Sequence, residues 1–377
     1  RLRVSPELME KGRSRRVLYA PIVGLALLLM LSVSVWFGVR RSAKLRRAAE
    51  YAQVLEVARH NLDEARNLSA LNPGRSKELV LGAKKSVDEL TSSGRMEPPV
   101  LELKSEIEKG LSEIAGVYKS SPQVYLNLRL IREGFVGSKI DISNGVVQVL
   151  DMEHNRLAAL EVSTKKTELL AGKDDLFNAF SVSAYSNRSF VMAIDGVREV
   201  GDEGVLQGKS DEWDANRSLF SVFAGNIYVL DKQNNMIYRY PGNRRSFLPA
   251  QDWFAPGIEP ILADIVSLAI DGKVWLQDVS GRIRVFERGV PQSFNVTGVD
   301  PEISTGGDIF TDEESMYLYI LDKTNNRVIV LNKSGEYVAQ YEDSDFSGIS
   351  EIVVSEVNRA LLYLKGSNLM HVPLKHI

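Results

Sequence analysis

Ile227-Tyr228-Val229-Leu230-Asp231-Lys232-Gln233-Asn234-Asn235-Met236-Ile237-Tyr238-Arg239-Tyr240 reads as a strand, a polar turn and a second strand. Val, Ile, Leu and Tyr suit a packed pleated sheet. Asp and Asn hold a turn because their side chains bond nearby backbone N–H groups and tolerate left-handed backbone. The same unit recurs at Tyr319-Ile320-Leu321-Asp322-Lys323-Thr324-Asn325-Asn326, at Val146–Asp151 with Asn155, at Val274–Asp278 with Arg282, and at Phe190-Val191-Met192-Ala193-Ile194-Asp195. A sixth copy, Leu361-Leu362-Tyr363-Leu364-Lys365, has Lys where Asp is expected. The anchors Asp151, Asp195, Asp231, Asp278, Asp322 and Lys365 lie 44, 36, 47, 44 and 43 residues apart. A period of ~40–45 residues with about four strands per unit is that of propeller blades.

The spacing predicts inner strands just upstream of these units, at 139–143, 180–184, 219–223, 264–269, 308–311 and 349–354. The last repeat has three strands and lacks an outer one. An unassigned strand-like segment, 124–131, precedes the first inner strand. If it fills that place the ring closes and no sheet edge is left open. The expected fold is mainly β, a six-bladed β-propeller over 124–377 preceded by a transmembrane helix and a helical stalk.

The anchor is read from 17–39, which carries no charge over 23 residues. As a helix it would reach roughly 34 Å, against ~30 Å of bilayer hydrocarbon. Leu25, Leu27, Leu28, Leu29, Met30 and Leu31 fill its middle, with Tyr19 and Trp36 near its ends. A basic juxtamembrane segment, 1–16, precedes it; Arg40, Arg41, Lys44, Arg46 and Arg47 follow. Charge therefore does not orient the span. Residues 42–120 read as a helical stalk. Leu45, Ala48, Ala52, Leu55, Ala58, Leu62, Ala65 and Leu68 form one helical stripe, broken at Asn72-Pro73-Gly74, with two amphipathic segments after it. The stripe serves a spacer or a coiled coil, and is compatible with a homodimer through the stalk.

The turn pattern resembles NHL repeats and related TolB-like six-bladed propellers, which implies the fold and little about activity. The order of span, stalk and propeller, with the tract 130–139 (Leu-Ile-Arg-Glu-Gly-Phe-Val-Gly-Ser-Lys), resembles the C-terminal half of bacterial membrane proteins carrying a PPM-type phosphatase-like domain. That resemblance implies a catalytic domain before Arg1 and a propeller outside the cytoplasm.

Composition narrows the chemistry. The absence of cysteine excludes disulfides, thiolate metal sites and cysteine nucleophiles. A formal net charge of −3 provides no basic field for nucleic acid. His60, His154, His371 and His376 show no paired-ligand spacing, and no nucleophile elbow, P-loop or dinucleotide fingerprint occurs. No catalytic residue, metal ligand or cofactor is assigned. Three aromatics are candidate ligand anchors: Trp253 and Phe254 in the long loop 251–257, and Trp213. Asp141, Asp264 and Asp308 are candidate acidic residues facing the channel. The leading expectation is a membrane-anchored module that binds a protein, peptide or envelope ligand, with the propeller extracytoplasmic. Its rivals are a propeller hydrolase with a channel metal site and a structural scaffold of the envelope.

Overall fold

A computed structural model describes residues 14–69, 71–94, 96–176, 178–201, 206–209, 213–243 and 246–377. The chain divides into two compact units, Arg1–Ala115 and Gly116–Ile377.

The first unit is helical. Helix α1 runs unbroken over Ser14–Leu68, so the expected anchor and first stalk segment are one helix. Nothing between 39 and 44 interrupts it, because Arg, Ala and Lys are good helix formers there. It ends where Asn72 caps α2 (Pro73–Ser92), its side chain accepting from Arg75 N at 3.1 Å, with Pro at the first turn. Helix α3 covers Pro98–Ile114. Ala58, Leu62 and Ala65 of α1 are buried with Val80, Ala83 and Val87 of α2 and Val100, Leu103, Ile107 and Leu111 of α3. Gly110 permits the close approach: a β-carbon there would lie 2.8 Å from Leu62 Cδ1. Ala52, expected on the stripe, is exposed.

Among the described residues no helix is long and apolar enough to cross a membrane. Within 17–39, side chains are described only at 25 and 27–36, and all of these are exposed. The side chains of 17–24, 26 and 37–39 are not described, and 1–13 of the basic segment lies outside the described residues.

The second unit is a six-bladed propeller. Blade 1 comprises Lys139–Ser143, Val146–Asp151, Arg156–Glu161 and Thr167–Ala171 from centre to rim; blade 2, Ser181–Tyr185, Arg188–Ala193, Gly196–Glu199 and Leu206–Lys209. Blade 3 has Ser218–Phe223, Asn226–Asp231, Met236–Tyr240 and a two-residue outer strand, Gln251–Asp252; a small hairpin, Gly242–Asn243 with Ser246–Phe247, intervenes. Blade 4 is Ile265–Ile270, Val274–Asp278, Ile283–Glu287 and Val290–Gln292. Blade 5 is Asp308–Phe310, Tyr317–Asp322, Arg327–Asn332 and Tyr337–Glu342, and Val117–Lys119 adds a fifth strand parallel to its rim. That strand falls where the helical stalk was expected to continue. Blade 6 is Ile352–Ser355, Ala360–Lys365 and Asn368–Pro373, completed by Gln123–Asn127. This N-terminal strand pairs antiparallel with Asn368–Pro373, Gln123 opposite His371 and Asn127 opposite Asn368. The ring is latched as the leftover segment suggested, although 128–130 turns into a 3-10 helix.

The repeated Asp residues make the turns. Asp231 Oδ1 accepts from Gln233 N at 2.9 Å, and its Oδ2 from Asn234 Nδ2 at 2.6 Å. Asp322 repeats this with Asn325, and Asp278 accepts from the amides of Ser280 and Arg282. Asn155, Asn235 and Asn326 take φ of 49°, 54° and 52°, the left-handed backbone that Asn tolerates. Blades 2 and 6 depart from the pattern. Asp195 is exposed and pairs with Arg198, and Lys365 pairs with Asp345 at 2.6 Å. Gly306-Gly307 leads into the inner strand of blade 5 under backbone pressure: a β-carbon on Gly307 would sit 2.0 Å from Leu321 O.

Candidate functional site

The inner strands of all six blades surround a cavity of about 370 Å³ along the central channel. Polar side chains on or just before these strands line it, among them Asp141, Ser183, Ser221, Ser267, Asp308 and Glu351. These residues stitch neighbouring blades together. Ala184 N of blade 2 donates to Asp141 Oδ2 at 2.7 Å, and Val222 N of blade 3 to Ser183 Oγ at 3.0 Å. Ile309 N of blade 5 donates to Ser267 Oγ at 3.1 Å, and that hydroxyl donates to Asp308 Oδ1 at 2.6 Å. Ile352 N of blade 6 donates to Asp308 Oδ2 at 2.9 Å, and Ile140 N of blade 1 to Glu351 Oε2 at 3.2 Å. Glu351 also pairs with Lys139. Blades 3 and 4 form the exception. Ser221 holds the corresponding place, and among the described residues it makes no such bond.

Two of the three acidic candidates thus face the channel, and their oxygens are held by amides. Burial pushes the Asp141 carboxyl up to about 7, against the pull of the Ala184 and Ile142 amides and the Ser183 hydroxyl, with Asp312 adding a repulsive charge. Burial, reinforced by Glu351, raises Asp308 to about 6 despite its bonds from Ser267, Ile352 and Ile309. Asp264 is a correction. It lies outside the channel lining and pairs with Arg284 at 2.5 Å, whose guanidinium also holds the turn residue Asp278. Among the described residues no three His, Asp or Glu side chains gather as a metal site would require.

The aromatic candidates separate as well. Trp213 is 3% exposed, packs among Phe190, Val197, Val229 and Tyr240, and donates its Nε1–H to Tyr240 Oη at 2.8 Å. Phe254 is buried against Phe286, ring centres 5.2 Å apart. Both fill the seams between blades, so neither offers a ring face as an anchor. Trp253 is half-buried and lines a second cavity, of about 350 Å³, with Tyr228, Arg239, Gln251, Asp252, Ile270, Gly272, Val274 and Arg288. Sequence reading missed this cleft and the channel stitching. The stitching left only a weak signal, polar residues recurring on or beside the inner strands; the cleft had none, since its arginines lie far apart in the chain.

No family model and no curated protein matches the chain. Solved structures with a similar fold include a gluconolactonase from Xanthomonas campestris, at 11% identity over 68% of this chain and 90% of that one, TM-score 0.48. Another is the calcium-binding protein regucalcin from Agrobacterium tumefaciens, at 12% identity over 69% of this chain and 97% of that one, TM-score 0.45. A putative gluconolactonase matches at 11% identity over 70% and 98%, TM-score 0.45. At such identities the likeness concerns the fold alone. The resemblance to phosphatase-like membrane proteins has no counterpart among these matches.

Proposed function

We propose that this chain is a binding module, a latched propeller carried on an apolar helical tether, which takes a polar peptide or envelope ligand at the mouth of its channel. The observation that carries this reading is the state of the channel carboxylates. The oxygens of Asp141 and Asp308 accept from backbone amides and a serine hydroxyl, so they serve as struts between blades and not as open metal ligands. The same space, of ligand size, is also lined by the hydroxyls of Ser181, Ser221 and Ser350, the amine of Lys323 and the carboxylate of Asp312.

The tether rests on Leu25, Leu27, Leu28, Leu29, Met30, Leu31, Val33, Val35 and Trp36, each between 46% and 71% exposed. Apolar side chains exposed all round a helix need a lipid or protein cover. We assign that cover to a bilayer crossed once, with the propeller on its outer side. Expression in a bacterium followed by carbonate washing checks this. The full chain should stay with the membrane pellet, and deletion of 14–41 should release it. Recovery of the intact chain in the wash would remove the tether.

Binding is tested on the full chain in detergent by calorimetry against short polar peptides and soluble cell-wall glycan fragments. Saturable heat without turnover supports the module. A second reading rests on Asp141 and Asp308 alone. Two carboxyls that exchange protons near neutral pH in one cavity are what a hydrolase would use as acid and base. Turnover of lactone or ester probes that vanishes in Asp141→Asn would replace the binding reading with that one.

A further inference from the structure

The seam between blades 3 and 4 is built differently from the other five. Among the described residues it lacks the side-chain stitch across the channel. The outer strand of blade 3 is reduced to Gln251–Asp252, opposite Arg239 and Tyr238. The cleft of about 350 Å³ opens at this seam. Its walls are firm. The Arg288-Gly289 turn of blade 4 presses on the backbone of blade 3: Ala255 N donates to Gly289 O at 3.2 Å, and a β-carbon on Gly289 would lie 2.4 Å from Trp253 O. Tyr228 and Trp253 meet edge to face, ring centres 6.4 Å apart.

Two guanidinium groups line this space. Arg239 has one long bond, from Nη2 to Asn226 Oδ1 at 3.4 Å, and its Nε is buried without a hydrogen-bond partner. A buried donor left unpaired costs free energy, more so when charged. Arg288 is exposed at the turn with φ of 50°, and neither arginine has an ion-pair partner among the described residues. The one carboxylate in the lining, Asp252, is exposed and leaves an excess of one positive charge. A guanidinium fork matches the geometry of a carboxylate or phosphate, and an indole wall suits a flat ring.

We propose that the cleft between blades 3 and 4 binds an oxyanion borne on a flat or apolar ring, with Arg239 and Arg288 holding the anion and Trp253 the ring. This goes beyond the channel reading and does not depend on it. The test is calorimetry on the full chain in detergent with benzoate, phenyl phosphate and inorganic phosphate. The ring-bearing anions should saturate, and the stronger of the two tells carboxylate from phosphate. Inorganic phosphate should bind more weakly. Arg288→Gln, at an exposed turn, should weaken binding about tenfold, the factor of roughly one charge-assisted hydrogen bond, with an unchanged circular dichroism spectrum. Arg239→Gln should do the same, and Trp253→Ala should cost affinity only for the ring-bearing probes. Asp141→Asn should leave all three affinities unchanged, which separates this cleft from the channel. No saturable heat from any probe at millimolar concentration, or equal binding by Arg288→Gln and Arg239→Gln, overturns the assignment.

Discussion

Arg327 is 1% exposed, an unusual place for a guanidinium. The fold meets nearly all of its donors: Nε to Asp322 Oδ2 at 2.9 Å, Nη1 to Asp300 O at 2.9 Å and to Gln340 Oε1 at 3.2 Å, Nη2 to Pro301 O. Its partner Asp322 also holds the Asn325 turn, so one carboxylate serves a turn and a buried ion pair. Asp322→Ala strands the charge and should cost about 3–5 kcal/mol in urea unfolding, whereas Asp322→Leu with Arg327→Met should cost clearly less. If Asp322→Ala stays within about 1 kcal/mol of the parent, the pair does not hold the blade. The repeat predicted the turn role of Asp322 from its neighbours in sequence. The burial of Arg327 was not legible, because Asp300, Pro301 and Gln340, which accept from its other nitrogens, come from other loops and strands.

At the scale of an element, the tail after the last strand of blade 6 folds back onto blade 5. Tyr341 Oη accepts from Lys375 N at 2.7 Å and from His376 N at 3.3 Å, and lies 2.8 Å from His376 Nδ1. His376 Nε2 lies 3.4 Å from Tyr319 Oη, and that hydroxyl donates to Glu356 at 3.1 Å. Burial lowers the His376 pKa to about 4, from 6.5 in the open chain. The sign follows from that depression. Stability contributed by the neutral imidazole is complete above pH 6.5 and is lost as the pH falls toward 4. His376→Phe cannot take up this proton, so the melting-temperature gap between parent and variant should shrink steadily from pH 7 to pH 4. A gap that does not change with pH would mean that His376 is not buried neutral. The spacing of the four histidines carried no sign of this tail clamp, which depends on Tyr319 and Tyr341, brought together by two strands of blade 5.

The whole molecule is a ring, and its stability depends on closure. Removing 116–127 deletes the strand that completes blade 6 and the parallel strand on blade 5, exposing two sheet edges. The shortened chain should aggregate on refolding where the parent does not, and a monomeric, cooperatively melting product would show that closure is dispensable. The channel adds a second pH term, opposite in sign to that of His376. The Asp141 and Asp308 carboxyls are raised to about 7 and about 6, so the fold favours their protonated forms. Their contribution is greatest below pH 3.8 and declines as the pH rises through 6 and 7. Lys139, Asp312 and Glu351 share the channel and modulate this slope. In Asp141→Asn the loss of stability from pH 5 to pH 8 should be smaller than in the parent, as followed by urea midpoints; an identical loss would show that Asp141 does not titrate there.

By itself the sequence determined the blade. A period near 43 residues, strands of Val, Ile, Leu and Tyr, and an Asp–Asn turn are local chemistry, written between neighbours a few residues apart. It also determined the closure, because an odd strand before the first blade and a missing strand after the last leave one economical pairing. Only the tertiary structure decided which polar groups meet. It removed Trp213 and Phe254 from the surface, took Asp264 out of the channel, and turned Asp141 and Asp308 into struts between blades. It also brought Arg239 and Arg288 to one cleft across a seam that no local pattern announces. The physical reason is range. Strand and turn preferences act over a few bonds along the chain, whereas burial, pKa and unpaired donors are set by groups that become neighbours only when the ring closes.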